Sequence, residues 1–166
     1  DFGRDPTRVE AFSAVYDTYR DATLAEFRTR GGKLLIFHGA ADPIFSALES
    51  IDYYQRLTRN NGGPEATAAW ARLFLVPGMN HCGGGPGTTT FDMLTALEQW
   101  VEKKQAPDSI PASHLTDGRV DRTRPLCPYP QVAVYKGSGS IDEAASFACR
   151  AGSQSAWTVP RTPDGH

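Results

Sequence analysis

The sequence predicts an α/β fold with a parallel sheet, followed by a tail of different composition. Two short apolar runs, residues 33–39 and 72–77, are typical of strands that are buried on both faces. Each run is followed by an amphipathic segment that predicts a helix, over 47–60 and over 91–104. Strands that alternate with helices in this order favour parallel pairing.

Helices of this expected core are recognised by their apolar faces. Besides the two long helices over 47–60 and 91–104, a short helix is predicted over 21–31 and a single turn over 65–71, while 1–20 has weak helical spacing. The side chains expected to face inward are Leu48, Ile51, Tyr54 and Leu57 in the first long helix and Leu94, Leu97, Trp100 and Val101 in the second; Phe12, Tyr16 and Tyr19 carry the weak spacing near the start.

Beyond residue 104 the composition changes. Residues 105–166 are rich in proline, have no long apolar run, and contain Cys127 and Cys149. We therefore expect two parts: a core over 1–104 and a proline-rich, loop-like tail over 105–166 that packs on it. One further strand is predicted at 110–115.

Charge and hydropathy exclude several classes of partner. The 17 Lys and Arg nearly balance the 19 Asp and Glu, which leaves a net charge of −2. This balance predicts neither a nucleic-acid partner nor an anionic membrane surface as a partner. No apolar run approaches the roughly 20 residues that cross a bilayer. The chain begins at Asp1 without methionine or a hydrophobic leader, so we expect it to be cut from a longer protein.

The three cysteines, Cys82, Cys127 and Cys149, leave two interpretations open. An odd number means that at least one has no partner within the chain. Three free thiols in a cytosolic protein is one reading, and the counts alone favour it. The other is an exported protein with one internal bridge and one bridge to sequence outside the chain.

Two residues at predicted strand ends are candidates for catalysis. Asp42 follows the first strand and His81 follows the second, on a glycine-rich loop that we expect to be flexible. Neighbouring parallel strands bring their carboxyl ends to one edge of a sheet, where α/β proteins place their sites. A carboxylate beside an imidazole there is typical of a general base with its orienting acid.

Simpler readings of the same residues stay open. Asp42 followed by proline also fits a turn or a helix N-cap, and His81 also fits a solvated loop residue. The run 81–85 resembles the HGGG-type oxyanion loop of lipases, but that loop precedes a nucleophile elbow and none follows here. His38 is interpreted as a packed structural histidine. Neither a zinc-ligand spacing nor a phosphate-binding loop is present.

Several unusual motifs, in one order, resemble the tannase and feruloyl esterase family. The resemblance covers roughly residues 27–150 and implies a fold class: the C-terminal part of an α/β-hydrolase fold, with parallel strands and helices, plus a disulfide-bridged, loop-rich tail. The matching segments are residues 31–39, 41–43, 51–54, 74–87, 106–110, 122–130, 135–139 and 142–149.

The family's enzymes are serine esterases of aromatic carboxylic acids, either secreted or periplasmic. The resemblance implies that Asp42 is the triad acid and His81 the general base. It further implies a Cys127–Cys149 bridge and a bridge from Cys82 to the upstream part of the enzyme. Side chains just past the acid, Ile44 and Phe45, could border the substrate pocket, although core packing is the favoured role.

The partner implied in this way is the upstream N-terminal part of the same enzyme. The catalytic serine, the oxyanion donors and a lid, which often binds structural calcium in the family, would all lie there, so no cofactor is expected in this chain. The chain alone is therefore expected to be inactive. A non-catalytic C-terminal module that binds a partner or a sugar polymer is the alternative of another class. A dienelactone-hydrolase-like enzyme is a third reading, against which Cys82 counts.

Overall fold

A computed structural model describes residues 6–16 and 21–152. Five helices and seven strands are present in these residues. In chain order they are α1 (Pro6–Tyr16), α2 (Ala25–Thr29), β1 (Leu34–Gly39), α3 (Ala47–Asn60), α4 (Pro64–Ala68), β2 (Ala71–Val76), β3 (Thr90–Phe91), α5 (Met93–Lys103), β4 (Ile110–Thr116), β5 (Arg119–Leu126), β6 (Gln131–Tyr135) and β7 (Phe147–Ala151); a single 3-10 turn, Ala144–Ser146, precedes β7. None of the described helices is long and apolar enough to span a membrane.

Strands β1 and β2 pair in parallel, as the alternating pattern predicted. Their register runs from Leu34 opposite Ala71 to Gly39 opposite Val76, so both strands end at the same level. The crossover is made by α3 and α4. Helix α3 begins where the Ser46 hydroxyl accepts a hydrogen bond from the Leu48 N–H, an N-cap that satisfies a free backbone donor.

Helix α3 packs its apolar face on the sheet. Ile51 and Leu57 are fully buried against Leu73 of β2. The Tyr54 hydroxyl donates to the Ala71 carbonyl at 3.0 Å, which satisfies a polar group inside this cluster. Leu48, in the first turn of α3, is exposed. Three of the four residues predicted to face inward, Ile51, Tyr54 and Leu57, are therefore buried.

The expectation of burial on both faces holds for β2 and fails for β1. Leu73, Phe74 and Val76 are fully buried, whereas Phe37 of β1 is 45 % exposed. Within the described part of the chain β1 pairs with β2 alone, and its other edge carries no strand. A strand at a sheet edge loses the cover that a neighbour and its crossover helix provide.

Helix α5 also departs from the predicted inward face. Leu94 and Val101 are exposed, while Trp100 is buried and Met93 and Ala96 pack on the second core cluster. The side chains that reach the core are thus spaced i, i+3 and i+7 from Met93. Trp100 is buried as predicted, whereas Met93 and Ala96 reach the core although they were not predicted to.

The helix predicted over 21–31 is shorter in the structure, where it spans Ala25–Thr29. The Asp21 carboxylate accepts hydrogen bonds from the Thr23 and Leu24 N–H groups at 2.9 and 3.2 Å. This turn delays the predicted 21–31 helix, which begins at Ala25. Of the weakly spaced residues nearer the start, Phe12 and Tyr16 lie in α1, and Tyr19 lies outside the described residues.

The tail has more strand than the loop-like expectation. Strands β3, β4 and β5 form an antiparallel sheet, and β6 pairs with β7. The β4–β5 connection passes through Asp117 and Gly118, whose φ values are 50° and 76°. Asp-Gly with positive φ at both positions is the signature of a tight hairpin turn, a signal that the sequence interpretation overlooked.

Contacts to β2 attach this tail to the core. Pro128 forms a bridge with Phe74, and the Tyr129 N–H donates to the Leu73 carbonyl at 2.7 Å. The Tyr129 hydroxyl accepts a hydrogen bond from the Gln55 side chain of α3 at 2.8 Å. The tail thereby covers the edge of β2 that does not face β1.

Candidate active site

The loop after β1 and the loop after β2 are joined by backbone hydrogen bonds. The Ala41 N–H donates to the Met79 carbonyl at 3.0 Å, and the Ala40 N–H donates to the Val76 carbonyl at 2.9 Å. Gly39 makes this approach possible, because a Cβ at that position would lie 2.4 Å from the Met79 carbonyl oxygen. A side chain there would push the two loops apart.

The glycine-rich loop that carries His81 folds back on itself. The Gly87 N–H donates to the Gly78 carbonyl at 3.3 Å, and the Asn80 N–H donates to the Gly84 carbonyl at 3.1 Å. A Cβ on Gly85 or Gly87 would collide with the backbone of residues 77–78. Gly85 and Gly87 therefore serve the close approach of the two ends of this loop.

Asp42 and His81 meet between these loops. The His81 Nδ1 lies 2.8 Å from the Asp42 Oδ2. A carboxylate can only accept, so Nδ1–H donates and the neutral ring has Nε2 as its acceptor. No hydrogen bond within the described residues occupies Nε2. The Asp42 side chain is 5 % exposed and that of His81 is 40 % exposed, so the imidazole is the member of the pair that faces outward.

The second carboxylate oxygen of Asp42 is held by the backbone that follows it. Asp42 Oδ1 accepts hydrogen bonds from the N–H groups of Ile44 and Phe45 at 2.8 and 3.1 Å. The sequence left open that Asp42 only forms a turn, and this turn is present. It also fixes the orientation of the carboxylate toward His81.

Burial and hydrogen bonding oppose each other in setting the Asp42 pKa. Burial is the largest single influence and would raise the pKa of the carboxyl group. Hydrogen bonds from His81, Ile44 and Phe45, with the attraction of His81, together outweigh it and lower the pKa from 3.8 to about 2. Asp42 is therefore ionised at neutral pH.

A carbon-13 titration of the Asp42 carboxyl group is expected to have its midpoint near 2. A lowered folded pKa gives stability that is present above the ordinary value of 3.8 and lost as the pH falls through about 2. The free energy of unfolding of the wild type should therefore decline relative to Asp42→Asn across that window. In His81→Ala the midpoint should rise, because a donor is lost. A midpoint at or above 3.8 would mean that burial prevails.

Two apolar residues border the pair instead of packing in the core. Ile44 is 64 % exposed and Phe45 is 55 % exposed, which makes the favoured packing role wrong in this chain. The Phe45 ring centroid lies 5.3 Å from that of His81. An apolar surface therefore adjoins the imidazole at the mouth of the site.

The cysteines divide as the resemblance implied. Cys127 and Cys149 form a disulfide with Cα atoms 5.5 Å apart. Cys82 is exposed and has no cysteine partner among the described residues. Cys82 directly follows His81, and its φ of 59° is a left-handed backbone conformation.

One residue near the pair is packed as predicted but lies closer to the acid than the sequence interpretation proposed. The His38 side chain is 15 % exposed, and its Nε2 lies 3.5 Å from the Asp42 Oδ2. Its spacing of four residues from the acid was a signal for this proximity. Another histidine, His114, also meets a carboxylate: its Nδ1 lies 2.6 Å from the Asp121 Oδ1 in the β4–β5 hairpin.

Within the residues that the structure describes, the site offers an acid and a base, but no serine hydroxyl is hydrogen-bonded to the base. Ser46 caps α3, Ser50 contacts His38, and neither is hydrogen-bonded to His81. The described part of the chain also has no group of three or more His, Cys, Asp or Glu side chains that could hold a metal ion. The arrangement can accept and return a proton at Nε2.

A parallel β-α-β unit with a carboxylate–imidazole pair across its carboxyl edge, followed by a disulfide-bridged tail, defines the C-terminal part of an α/β-hydrolase fold. The family model described as tannase and feruloyl esterase matches residues 3–150. This chain belongs to that family.

Known proteins agree with this assignment. The chain is 53 % identical over 161 residues to mono(2-hydroxyethyl) terephthalate hydrolase from Piscinibacter sakaiensis, covering 91 % of the chain and 26 % of the relative. It is 32 % identical over 162 residues to probable feruloyl esterase B from Aspergillus niger, covering 88 % and 30 %. An esterase crystal structure from Aspergillus oryzae superposes with a TM-score of 0.73 at 35 % identity, covering 78 % of this chain and 29 % of that one. The chain thus spans between a quarter and a third of the length of these proteins.

Proposed function

We propose that this chain is part of a carboxylic ester hydrolase that acts on esters of aromatic acids. The observation that carries the proposal is the 2.8 Å contact between His81 Nδ1 and Asp42 Oδ2, in an imidazole that is 40 % exposed and whose Nε2 has no hydrogen-bond partner among the described residues. The named activities of the relatives, terephthalate monoester hydrolysis and feruloyl ester hydrolysis, support an aromatic acyl group.

In this mechanism a serine outside the chain attacks the ester carbonyl carbon. His81 Nε2 accepts the serine proton and then donates it to the leaving alcohol. In the second half-reaction Nε2 accepts a proton from water, which attacks the acyl-enzyme, and the proton returns to the serine. Asp42 holds Nδ1–H in place and stabilises the imidazolium that forms in each half-reaction.

The proposed partner is the remainder of the same enzyme, upstream of Asp1. It would supply the serine, the oxyanion donors and the lid, and its cysteine would form a disulfide with Cys82. The edge of β1 that pairs with no strand of the described residues, and the exposed Cys82, support this partner. The Cys127–Cys149 bridge supports an exported protein, secreted or periplasmic, because such compartments keep structural disulfides oxidised.

A chimeric enzyme tests the proposal. The segment of the Piscinibacter sakaiensis hydrolase that aligns with this chain is replaced by the chain itself, which keeps the relative's own upstream part. We expect the chimera to hydrolyse mono(2-hydroxyethyl) terephthalate. We expect the isolated chain to show only background hydrolysis, because no positioned nucleophile lies among its described residues.

Two results would contradict the proposal. Turnover by the isolated chain that disappears in His81→Ala would mean that the nucleophile lies within these residues. A chimera that is folded by circular dichroism but inactive would favour the non-catalytic module instead.

A further inference from the structure

The contacts of His38 fix which of its nitrogens carries the proton. Its Nε2 lies 3.2 Å from the Phe45 carbonyl oxygen, which can only accept a hydrogen bond. Nε2–H is therefore the donor, and Nδ1, 2.7 Å from the Ser50 Oγ, accepts from the serine hydroxyl in the neutral ring. The imidazole thus links the residues after Asp42 to the first turn of α3.

His38 holds one end of the turn that orients the acid. The Phe45 N–H donates to Asp42 Oδ1 at 3.1 Å, while the Phe45 carbonyl accepts from His38. Both polar groups of the Phe45 backbone are therefore used, one by the carboxylate and one by His38. The turn over 42–45 cannot rotate away from His81 without breaking one of these bonds.

The Nε2–H group of His38 also lies near the carboxylate oxygen of Asp42 that contacts His81. His38 Nε2 is 3.5 Å from Asp42 Oδ2, and His81 Nδ1 is 2.8 Å from that oxygen on another side. At 3.5 Å the N–H is a nearby dipole and not a second strong hydrogen bond. Because the His38 side chain is 15 % exposed, it is poorly placed to meet substrate.

We infer that His38 is a positioning residue, which keeps the Asp42 carboxylate aimed at His81 Nδ1 and thereby fixes the tautomer of the base. The expected effect of His38 on turnover rests on the proposed function, whereas its expected effect on the His81 tautomer does not. Its structural content can be tested on the 166-residue chain without any substrate.

Nitrogen-15 shifts of the histidine rings provide that test. At about pH 8, above the ordinary histidine pKa of about 6.5, the neutral tautomers are resolved. We expect His81 to be mainly the Nδ1–H form in the wild type and to become a mixture in His38→Leu. The variant His38→Gln, whose amide can still donate to the Phe45 carbonyl, should restore the wild-type pattern, and His114→Leu should leave it unchanged.

The outcomes separate a positioning role from a merely structural one. An unchanged His81 tautomer in a folded His38→Leu chain, or equal effects of glutamine and leucine, would overturn the inference. Should His38→Leu fail to fold, Ser50→Ala decides: it removes the partner of Nδ1, and a shift of His81 in the same direction supports the inference whereas no shift overturns it.

Kinetics of the chimera add a second readout. His38→Leu should lower kcat roughly 10- to 100-fold with little change in KM, because a misaligned base affects the transition state more than substrate binding. A rise in KM with unchanged kcat would place His38 in substrate binding and overturn the inference. Absence of hydrolysis by the unmodified chimera would refute the proposed function while leaving the tautomer measurement intact.

Discussion

Replacing His81 by alanine in the chimeric enzyme is expected to lower kcat for mono(2-hydroxyethyl) terephthalate on the order of ten thousandfold or more. The loss follows from removing the group that we propose takes the serine proton, since His81 Nε2 has no hydrogen-bond partner among the described residues and the ring is 40 % exposed. Asp42→Asn should cost a similar factor, because an amide in place of the carboxylate no longer fixes the Nδ1–H tautomer.

Because the two residues act as a unit, their effects should not add. The double variant is expected to be about as slow as His81→Ala alone. Steady-state kinetics with KM and kcat resolved provides the measurement, and KM should change little in each variant.

His114 offers a matched control within the same chain. Its Nδ1 also meets an aspartate oxygen, that of Asp121, but in the β4–β5 hairpin and not at the end of a parallel strand. The variant His114→Ala should leave kcat unchanged. If His114→Ala and His81→Ala reduced kcat equally, the loss would reflect general damage to the fold and not the chemistry of one imidazole.

Removing the disulfide of the tail is expected to have the largest effect on stability. The double variant Cys127→Ser, Cys149→Ser opens a loop whose ends are 22 residues apart. In the chain-entropy account, such a loop contributes about 3 kcal/mol to the free energy of unfolding. Urea denaturation of oxidised wild type and double variant, compared at equal m-value, provides the measurement.

Contacts other than the disulfide should limit the loss of stability in the double variant. The β6–β7 hairpin still meets β5 through the Arg124 guanidinium, 4.0 Å from the centroid of the Phe147 ring, and through the Thr123 N–H, which donates to the Asp142 carbonyl at 2.8 Å. These contacts should keep the hairpin in place at reduced stability.

Cys82→Ser is the control for this prediction. Cys82 is exposed and unbridged in the described residues, so its replacement should change the free energy of unfolding by less than about 0.5 kcal/mol. A double variant as stable as the Cys82→Ser control would show that the β6–β7 hairpin is held by its packing on β5, and that the bridge contributes nothing measurable.

The local sequence determined the strands and helices that build the site. Unbroken apolar runs and the spacing of Ile51, Tyr54 and Leu57 predicted β2 and α3 because such patterns depend on neighbouring residues. Asp42 and His81 were recognisable as a pair because parallel strands end at a common edge, a rule of topology that needs no coordinates. The disulfide between Cys127 and Cys149 came from the family resemblance, since spacing alone left the pairing open.

Only the tertiary structure decided what depends on residues far apart in the chain. The strands of the tail and the exposure of Phe37, Leu94 and Ile44 follow from which surfaces meet, and such long-range contacts leave weak traces in local pattern.

The position of His38 beside the acid belongs to the same class. That a histidine at the end of a strand is packed was predictable from the sequence, but only the turn over 42–45 brings the Phe45 carbonyl and the Asp42 carboxylate near its Nε2. Composition and spacing thus located the chemistry of this chain, whereas the orientation of the groups that support it was set by backbone folding in three dimensions.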